Sequence, residues 1–220
     1  MSTNVEMLRR VPIFFGLDDS QLENLTHSLV KKAYPKNRVV MSEGQAAEYM
    51  FIIIAGRVKV QVTDPEGKEV ILAVLGPGEF FGEMSLIDQH PSSASVITLE
   101  SSHFIVVNKE DFRRHLVSNP DIATNIMRGL VKRLRVADKK IETLALLDVY
   151  GRVARVLLDF SEVIEDKRII RHKLLPRQEI AKMIGASREM VSRVMKDLEN
   201  DGYFTEHEDG TIVINEQPHT

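Results

Sequence analysis

The stretch Leu174–Leu198, LLPRQEIAKMIGASREMVSRVMKDL, leaves the chain few folding choices. It reads as two short helices joined by a tight turn. Pro176 stands at the start, where a helix tolerates a missing N–H because that donor has no intrahelical partner. Ile180, Ala181 and Ile184 then form one apolar face. Gly185 stops the first helix, since glycine takes the left-handed conformation without a Cβ penalty. Ser187 offers an N-cap hydroxyl to the second. Counted at about 100° per residue from Arg188, the residues Ser192, Lys196, Glu189 and Arg193 project within roughly 140° of it. Met190, Val191, Val194, Met195 and Leu198 take the other arc and are expected to pack.

A helix with one packed face and a free face of two arginines, a lysine, a serine and a glutamate suits a major groove. Arginine forks onto guanine O6/N7, and glutamate accepts from cytosine N4. An ordinary amphipathic helix with a solvated charged face has the same pattern, so charge must decide. Between Lys167 and Lys196 nine cations face two anions, a local charge of +7 in a chain of −3. The cations include Arg171 and Lys173. A basic segment on an otherwise acidic protein is an electrostatic footprint for phosphate, and points to DNA.

The run SREMVSRVMKDLE after RQEIAKMIG resembles the helix-turn-helix of the Crp/Fnr family of bacterial transcription regulators. The resemblance implies DNA contacts from Ser187, Arg188, Glu189 and Arg193, all matching the activator-protein subgroup and its TGTGA and TCACA half-sites. Arg177, Gln178, Ser192 and Lys196 complete the candidate DNA face.

The rest of the chain agrees with this resemblance. Val5 to Pro35 reads as helical, with caps at Asp18-Asp19-Ser20 and Leu22, Leu25, Leu29 and Val30 at helical spacing. From Arg38 to Val107 short β-branched runs alternate with turn signals such as Asp64-Pro65-Glu66-Gly67 and Gly76-Pro77-Gly78. Such spacing implies a sandwich or barrel, and its glycines resemble the jelly roll of cyclic-nucleotide-binding domains. Asn108 to Leu147 returns to helix. There Ala123, Met127, Leu130, Leu134, Ala137, Ile141 and Leu144 step alternately by four and three, a heptad seam. One buried helix would give the same stripe; the resemblance implies a dimer formed along it. Leu146 to Val149 looks like a hinge, with Asp148 capping a helix that runs to about Ile164. A basic strand near Arg168 and a hairpin turned at Asp209-Gly210 complete a winged domain.

The expected fold is therefore α+β. It comprises an N-terminal cyclic-nucleotide-binding-type jelly-roll β-barrel (residues 1–118), a long dimerisation helix and hinge (119–147), and a C-terminal winged helix-turn-helix domain (148–220).

The effector site is where the pattern departs. GEFFGEMSLI, followed by a small-residue strand, resembles the phosphate-binding cassette. Glu83 corresponds to the acceptor of a ribose 2′-hydroxyl, and backbone N–H groups about Gly82, Met84 and Ser85 can form an anion nest. Where cAMP binders carry arginine before a small residue, this chain has Ser93 before Ala94. Serine supplies neither the charge nor the planar fork that a cyclic phosphate takes. The threonine–serine pair that meets adenine in the activator subgroup is replaced by Ala137 and Asp138. These changes favour cyclic di-GMP or another nucleotide over cAMP, with altered cAMP/cGMP binding or effector-independent control as alternatives. Arg57, Arg133 and Arg135 are the arginines that could approach. His90 reads as a surface residue rather than a haem ligand, and Met84 and Met127 as core.

The chain has no cysteine, which excludes disulfides and thiolate metal sites. Its N-terminus mixes acid and base without a secretory apolar run, and no stretch approaches the ~18 apolar residues of a membrane span. The protein is expected to be soluble and cytoplasmic. No nucleophile–base motif, Walker loop or metal cluster suggests an enzyme. The expected partners are double-stranded DNA with a palindromic operator, a nucleotide effector, a second copy of the chain and RNA polymerase; no cofactor, metal or membrane is expected.

Overall fold

The computed structural model describes residues 3–170 and 176–215. Arg171 and Lys173, part of the basic segment, lie outside the described residues. The chain divides into two compact units, Met1–Arg135 and Val136–Thr220.

The first unit opens with α1 (Thr3–Arg9), a 3-10 turn at Pro12–Phe14 and α2 (Asp19–Thr26). A capping box starts α2. The Gln21 N–H donates to Asp18 Oδ1 at 2.8 Å, and the Asp18 N–H donates to Gln21 Oε1 at 2.9 Å. The expected helix to Pro35 is not formed. Val30–Tyr34 is strand β1, paired antiparallel with β8 (Ser102–Asn108). The helical spacing of Leu29 and Val30 was outweighed by backbone pairing to a distant strand.

Between them come β2 (Val39–Met41), β3 (Tyr49–Ala55), β4 (Val58–Thr63), β5 (Glu69–Leu75), β6 (Phe80–Phe81), α3 (Glu83–Asp88) and β7 (Ser95–Thr98). They form two four-stranded antiparallel sheets, β1-β8-β3-β6 and β2-β7-β4-β5. Alternate residues of β3 and β8 serve two cores. Met50, Ile52, Ile105 and Val107 pack with Leu8, Leu22, Phe112, Ile122 and Ile126. Phe51, Ile53, Phe104 and Val106 pack with Val58, Leu75, Phe81 and Val96. Burial on both faces explains why MFIII runs apolar without alternation. The helical stretch after β8 is two helices, α4 (Lys109–Ser118) and α5 (Pro120–Leu146), broken at Asn119 before Pro120.

The second unit contains α6 (Val149–Phe160), whose N-cap Asp148 accepts from the Gly151 N–H at 2.9 Å. The helix stops short of Ile164. Glu165 and Asp166 adopt left-handed φ of 49° and 61° and turn a hairpin between β9 (Glu162–Ile164) and β10 (Lys167–Ile170). Two successive left-handed residues match the twist of paired strands, so this turn favours a hairpin over further helix. After α7 (Arg177–Ile184) and α8 (Arg188–Asn200) come β11 (Phe204–Glu206) and β12 (Ile212–Ile214), completing the sheet β11-β12-β10-β9. Val153, Leu157, Ile180, Ile184, Val191, Met195, Leu198 and Phe204 form its core. Among the described residues no helix is long and apolar enough to cross a membrane.

Candidate functional site

Two residues set the helix-turn-helix. Gly185 ends α7 at φ +68°, and the Ser187 hydroxyl accepts from the Met190 N–H at 3.2 Å to start α8. Val191, Val194, Met195 and Leu198 are buried, as the angular count implies. Met190 corrects that count: it is 43 % exposed, at the edge of the apolar arc in the first turn. Arg188, Glu189, Arg193 and Lys196 are exposed on the other face, and Ser192 is half-buried between them. The Glu189 carboxyl is held below the usual carboxylate range, first by its own backbone N–H, then by the Ser187 hydroxyl and Arg188. It is therefore an ionised acceptor at neutral pH, the state that a cytosine N4 donor needs. Gln178 is exposed at the start of α7. Arg177 is engaged by Glu206 of the wing at 3.2 Å.

One arginine links the elements behind this face. Arg152 of α6 donates to the carbonyls of Leu144 and Leu147, each at 3.0 Å, and to that of Ile184 at 3.4 Å. It thus satisfies carbonyls at the C-terminal ends of both α5 and α7, groups that a helix leaves unpaired.

In the cassette, Gly82 takes φ +85° at the N-cap of α3. A Cβ there would meet the Met41 Cε at 2.7 Å and the Tyr49 carbonyl, so only glycine fits. Glu83, 1 % exposed, points inward, where Arg133 of α5 donates to its Oε1 at 2.9 Å. Arg133 also donates to the Phe80 carbonyl and lies 4.7 Å from the centre of the Phe80 ring. Desolvation raises the pKa of Glu83, and Arg133 opposes that rise. The second carboxylate oxygen, Oε2, is buried without a hydrogen-bond partner.

Arg133 is the arginine that reaches the cassette, whereas Arg57 is held by Glu100 at 3.0 Å and Arg135 is exposed. A sequence signal for this contact exists. Gly129 lies in the interior of α5, where glycine costs roughly 1 kcal/mol against alanine. A Cβ there would sit 2.7 Å from the Phe80 ring. Gly129 and Arg133, one turn apart, seat the helix on Phe80.

The other candidates spread more widely. Ser85 and Ala94 are buried, while Ser93 is exposed. Ala137 and Asp138 are exposed positions in the second compact unit. Met84 and Met127, expected as core, are 52 % and 57 % exposed. Each sits on a helix whose buried positions lie elsewhere, Glu83, Ser85 and Leu86 on α3 and Ile122 and Ile126 on α5. His90 is largely exposed beside Asp88, and no group of three potential metal ligands occurs among the described residues.

Comparison with known proteins agrees across most of the chain. The cyclic nucleotide-binding domain family matches residues 31–119, and the Crp-like helix-turn-helix domain family matches 151–218. A CRP-like cAMP-activated global transcriptional regulator of Mycobacterium tuberculosis is 32% identical over 203 residues, 90% of each chain. The cAMP-activated global transcriptional regulator CRP of Salmonella typhimurium is 34% identical over 196 residues, 86% of this chain and 91% of that one. Among solved structures, the c-di-GMP responsive global regulator CLP of Xanthomonas campestris superposes with a TM-score of 0.76 at 28% identity, covering 91% of this chain and all of that one. With an effector-type domain, a helix-turn-helix and relatives spanning nearly its whole length, this chain belongs to the Crp/Fnr family of transcription regulators, which are not enzymes.

Proposed function

We propose that the protein acts as a homodimer that reads a palindromic operator and is switched by a nucleotide effector other than cAMP, cyclic di-GMP being the leading candidate. Residues 1–118 form the effector domain, 119–147 the dimerisation helix and hinge, and 148–220 the DNA-binding domain.

The seam on α5 supports the dimer. Met127, Leu134, Ile141 and Leu144 are 57 %, 62 %, 65 % and 49 % exposed, an apolar stripe at heptad spacing, while Leu130 of the same seam is half-buried against the chain's own core. In such a dimer two α8 helices enter successive major grooves about 34 Å apart. Arg188, Glu189 and Arg193 read bases in half-sites close to TGTGA and TCACA. Ser187, Ser192, Lys196, Arg177 and Gln178 lie around them. RNA polymerase is the further partner.

The observation that argues against cAMP is the state of Arg133; a ligand with more phosphates would need cations from elsewhere as well, so the choice of cyclic di-GMP rests on the likeness to the c-di-GMP responsive regulator. Ser93 brings no charge to the cassette, and the arginine that does reach it is already paired with the buried Glu83. A single cyclic phosphate binding at Gly82–Ser85, with Ser93 and Ala94, would have to draw Arg133 off Glu83 or bind without a charged partner. Ala137 and Asp138 add no pair of hydroxyls for adenine. Losing one charge-assisted hydrogen bond weakens binding by about 1.5–3 kcal/mol, at least tenfold. The likeness to the c-di-GMP responsive regulator supports the same reading. The second reading is cAMP control, favoured by the cAMP-activated relatives at 32% and 34% identity. Calorimetric titration with cAMP, cGMP and cyclic di-GMP, each repeated with operator DNA, separates the two. Low-micromolar cAMP binding coupled to a tenfold change in operator affinity would overturn the first reading.

A further inference from the structure

An open cavity of about 270 Å³ lies between the β2–β3 connection and the far end of the cassette. Met41, Ala47 and Phe51 give it apolar walls; Gln45, Glu48 and Ser92 contribute polar groups. Ser92 is 5 % exposed, and its Oγ has no hydrogen-bond partner. Its backbone is pinned on both sides. The Ser92 N–H donates to the Gln45 carbonyl at 2.9 Å, and the Gly44 N–H donates to the Ser92 carbonyl at 2.8 Å. The residue is therefore held in place with a buried hydroxyl unused, the arrangement that a ligand or water completes.

The lining selects the ligand. No lysine, arginine or histidine lines the cavity, and its one ionisable acid, Glu48, repels anions. A phosphate is therefore disfavoured. The volume falls just below the ~300–1,000 Å³ of sites for drug-sized ligands, which suits a single ring system. Aromatic and aliphatic walls favour a flat apolar body, while the hydroxyl and amide fix its orientation.

We propose that this cavity is a second binding site, distinct from the Glu83–Arg133 pair, for an uncharged flat heterocycle of nucleobase size. Met41 connects the two. It forms a wall of the cavity, and its Cε rests against Gly82, the first residue of the cassette turn. A ligand that presses on Met41 bears on the backbone that presents Glu83.

The test uses the full-length protein with labelled methionine, alanine and valine methyl groups, and adenine as the neutral probe, with AMP as its anionic counterpart. Adenine at millimolar concentration is expected to shift the Met41, Ala46, Ala47, Val39 and Val40 methyls saturably, with AMP at least tenfold weaker. Ala47→Leu fills the space and is expected to abolish the shifts. Ser92→Ala, which removes one neutral hydrogen bond without filling anything, is expected to weaken adenine roughly twofold to tenfold. Absence of saturable shifts in the unaltered protein would overturn the proposal. So would unchanged binding in both Ala47→Leu and Ser92→Ala, or AMP binding as tightly as adenine.

Discussion

Replacing Arg133 by methionine isolates what the pair with Glu83 contributes. Methionine keeps much of the aliphatic length but removes the guanidinium, leaving a carboxylate 1 % exposed with neither oxygen partnered by a side chain. Removing one partner of a buried ion pair costs about 3–5 kcal/mol. The Arg133 side chain is 29 % exposed, so part of its attraction is already screened by water. The stack on Phe80 is also lost, about 0.5–1 kcal/mol at such a site. Protonation of Glu83 offers an escape that caps the loss at about 1.4 kcal/mol for each pH unit separating the solution from its folded pKa. These considerations place Arg133→Met about 2–4 kcal/mol below the unaltered protein at pH 7.

The pH dependence follows from the direction of the shift. Burial raises the folded pKa of Glu83 above its ordinary 4.5, and removing Arg133 removes the main contribution that lowers it. A carboxyl with a raised folded pKa binds its proton more tightly in the folded state. Its stabilising contribution is fully present below pH 4.5 and is lost as pH rises through the folded pKa. The deficit of Arg133→Met should therefore be largest at neutral pH and shrink as pH falls towards 4.5. Hydrogen exchange of the slowest amides in β3 and β8 reads the stability of the first unit alone. Adding Glu83→Gln to Arg133→Met should recover more than half of the loss at pH 7. A deficit under about 1 kcal/mol, a pH-independent deficit, or no recovery in the double variant would refute the reasoning.

Arg188→Ala should cost about 1–3 kcal/mol of discrimination between operator and random DNA, measured by competition binding; equal weakening on both sequences would deny it a base-reading role. Leu134→Glu, which places a charge on the exposed seam of α5, should raise the dimer dissociation constant at least a hundredfold in sedimentation equilibrium, and an unchanged dimer would place the interface elsewhere. Arg152→Ala should destabilise the second unit by about 2 kcal/mol, since it strips charged donors from three helix-end carbonyls. Arg152→Lys should recover less than half of that in thermal unfolding, because one ammonium does not span both helix ends. Gly82→Ala should abolish effector binding, because the new methyl enters Met41 and the strand backbone at a left-handed φ.

The helix-turn-helix was legible because its determinants are local. Pro176, Gly185 and Ser187 act within a few residues of their own positions, and the 3.6-residue period sorts buried Val191, Val194 and Leu198 from exposed Arg188 and Arg193 without knowledge of a partner. The hairpin at Asp209-Gly210 and the N-cap at Asp148 are of the same kind. The strand content of residues 38–107 followed from β-branched runs and turn residues.

What the linear pattern did not hold are contacts that join distant segments. Val30–Tyr34 carries helix-like spacing, yet it is a strand because β8, about seventy residues later, offers it a paired edge. The face of α5 bearing Met127 is apolar by pattern, but whether a chain buries such a stripe depends on what else its fold brings alongside. The effector site shows the division most clearly. Residue types alone mark Glu83 as an acceptor and Ser93 as a missing charge. That Arg133, rather than Arg57 or Arg135, answers Glu83 depends on Gly129 letting α5 close on Phe80. Electrostatic pairing falls off within a few ångströms and depends on desolvation, and neither separation nor burial is a property of sequence spacing.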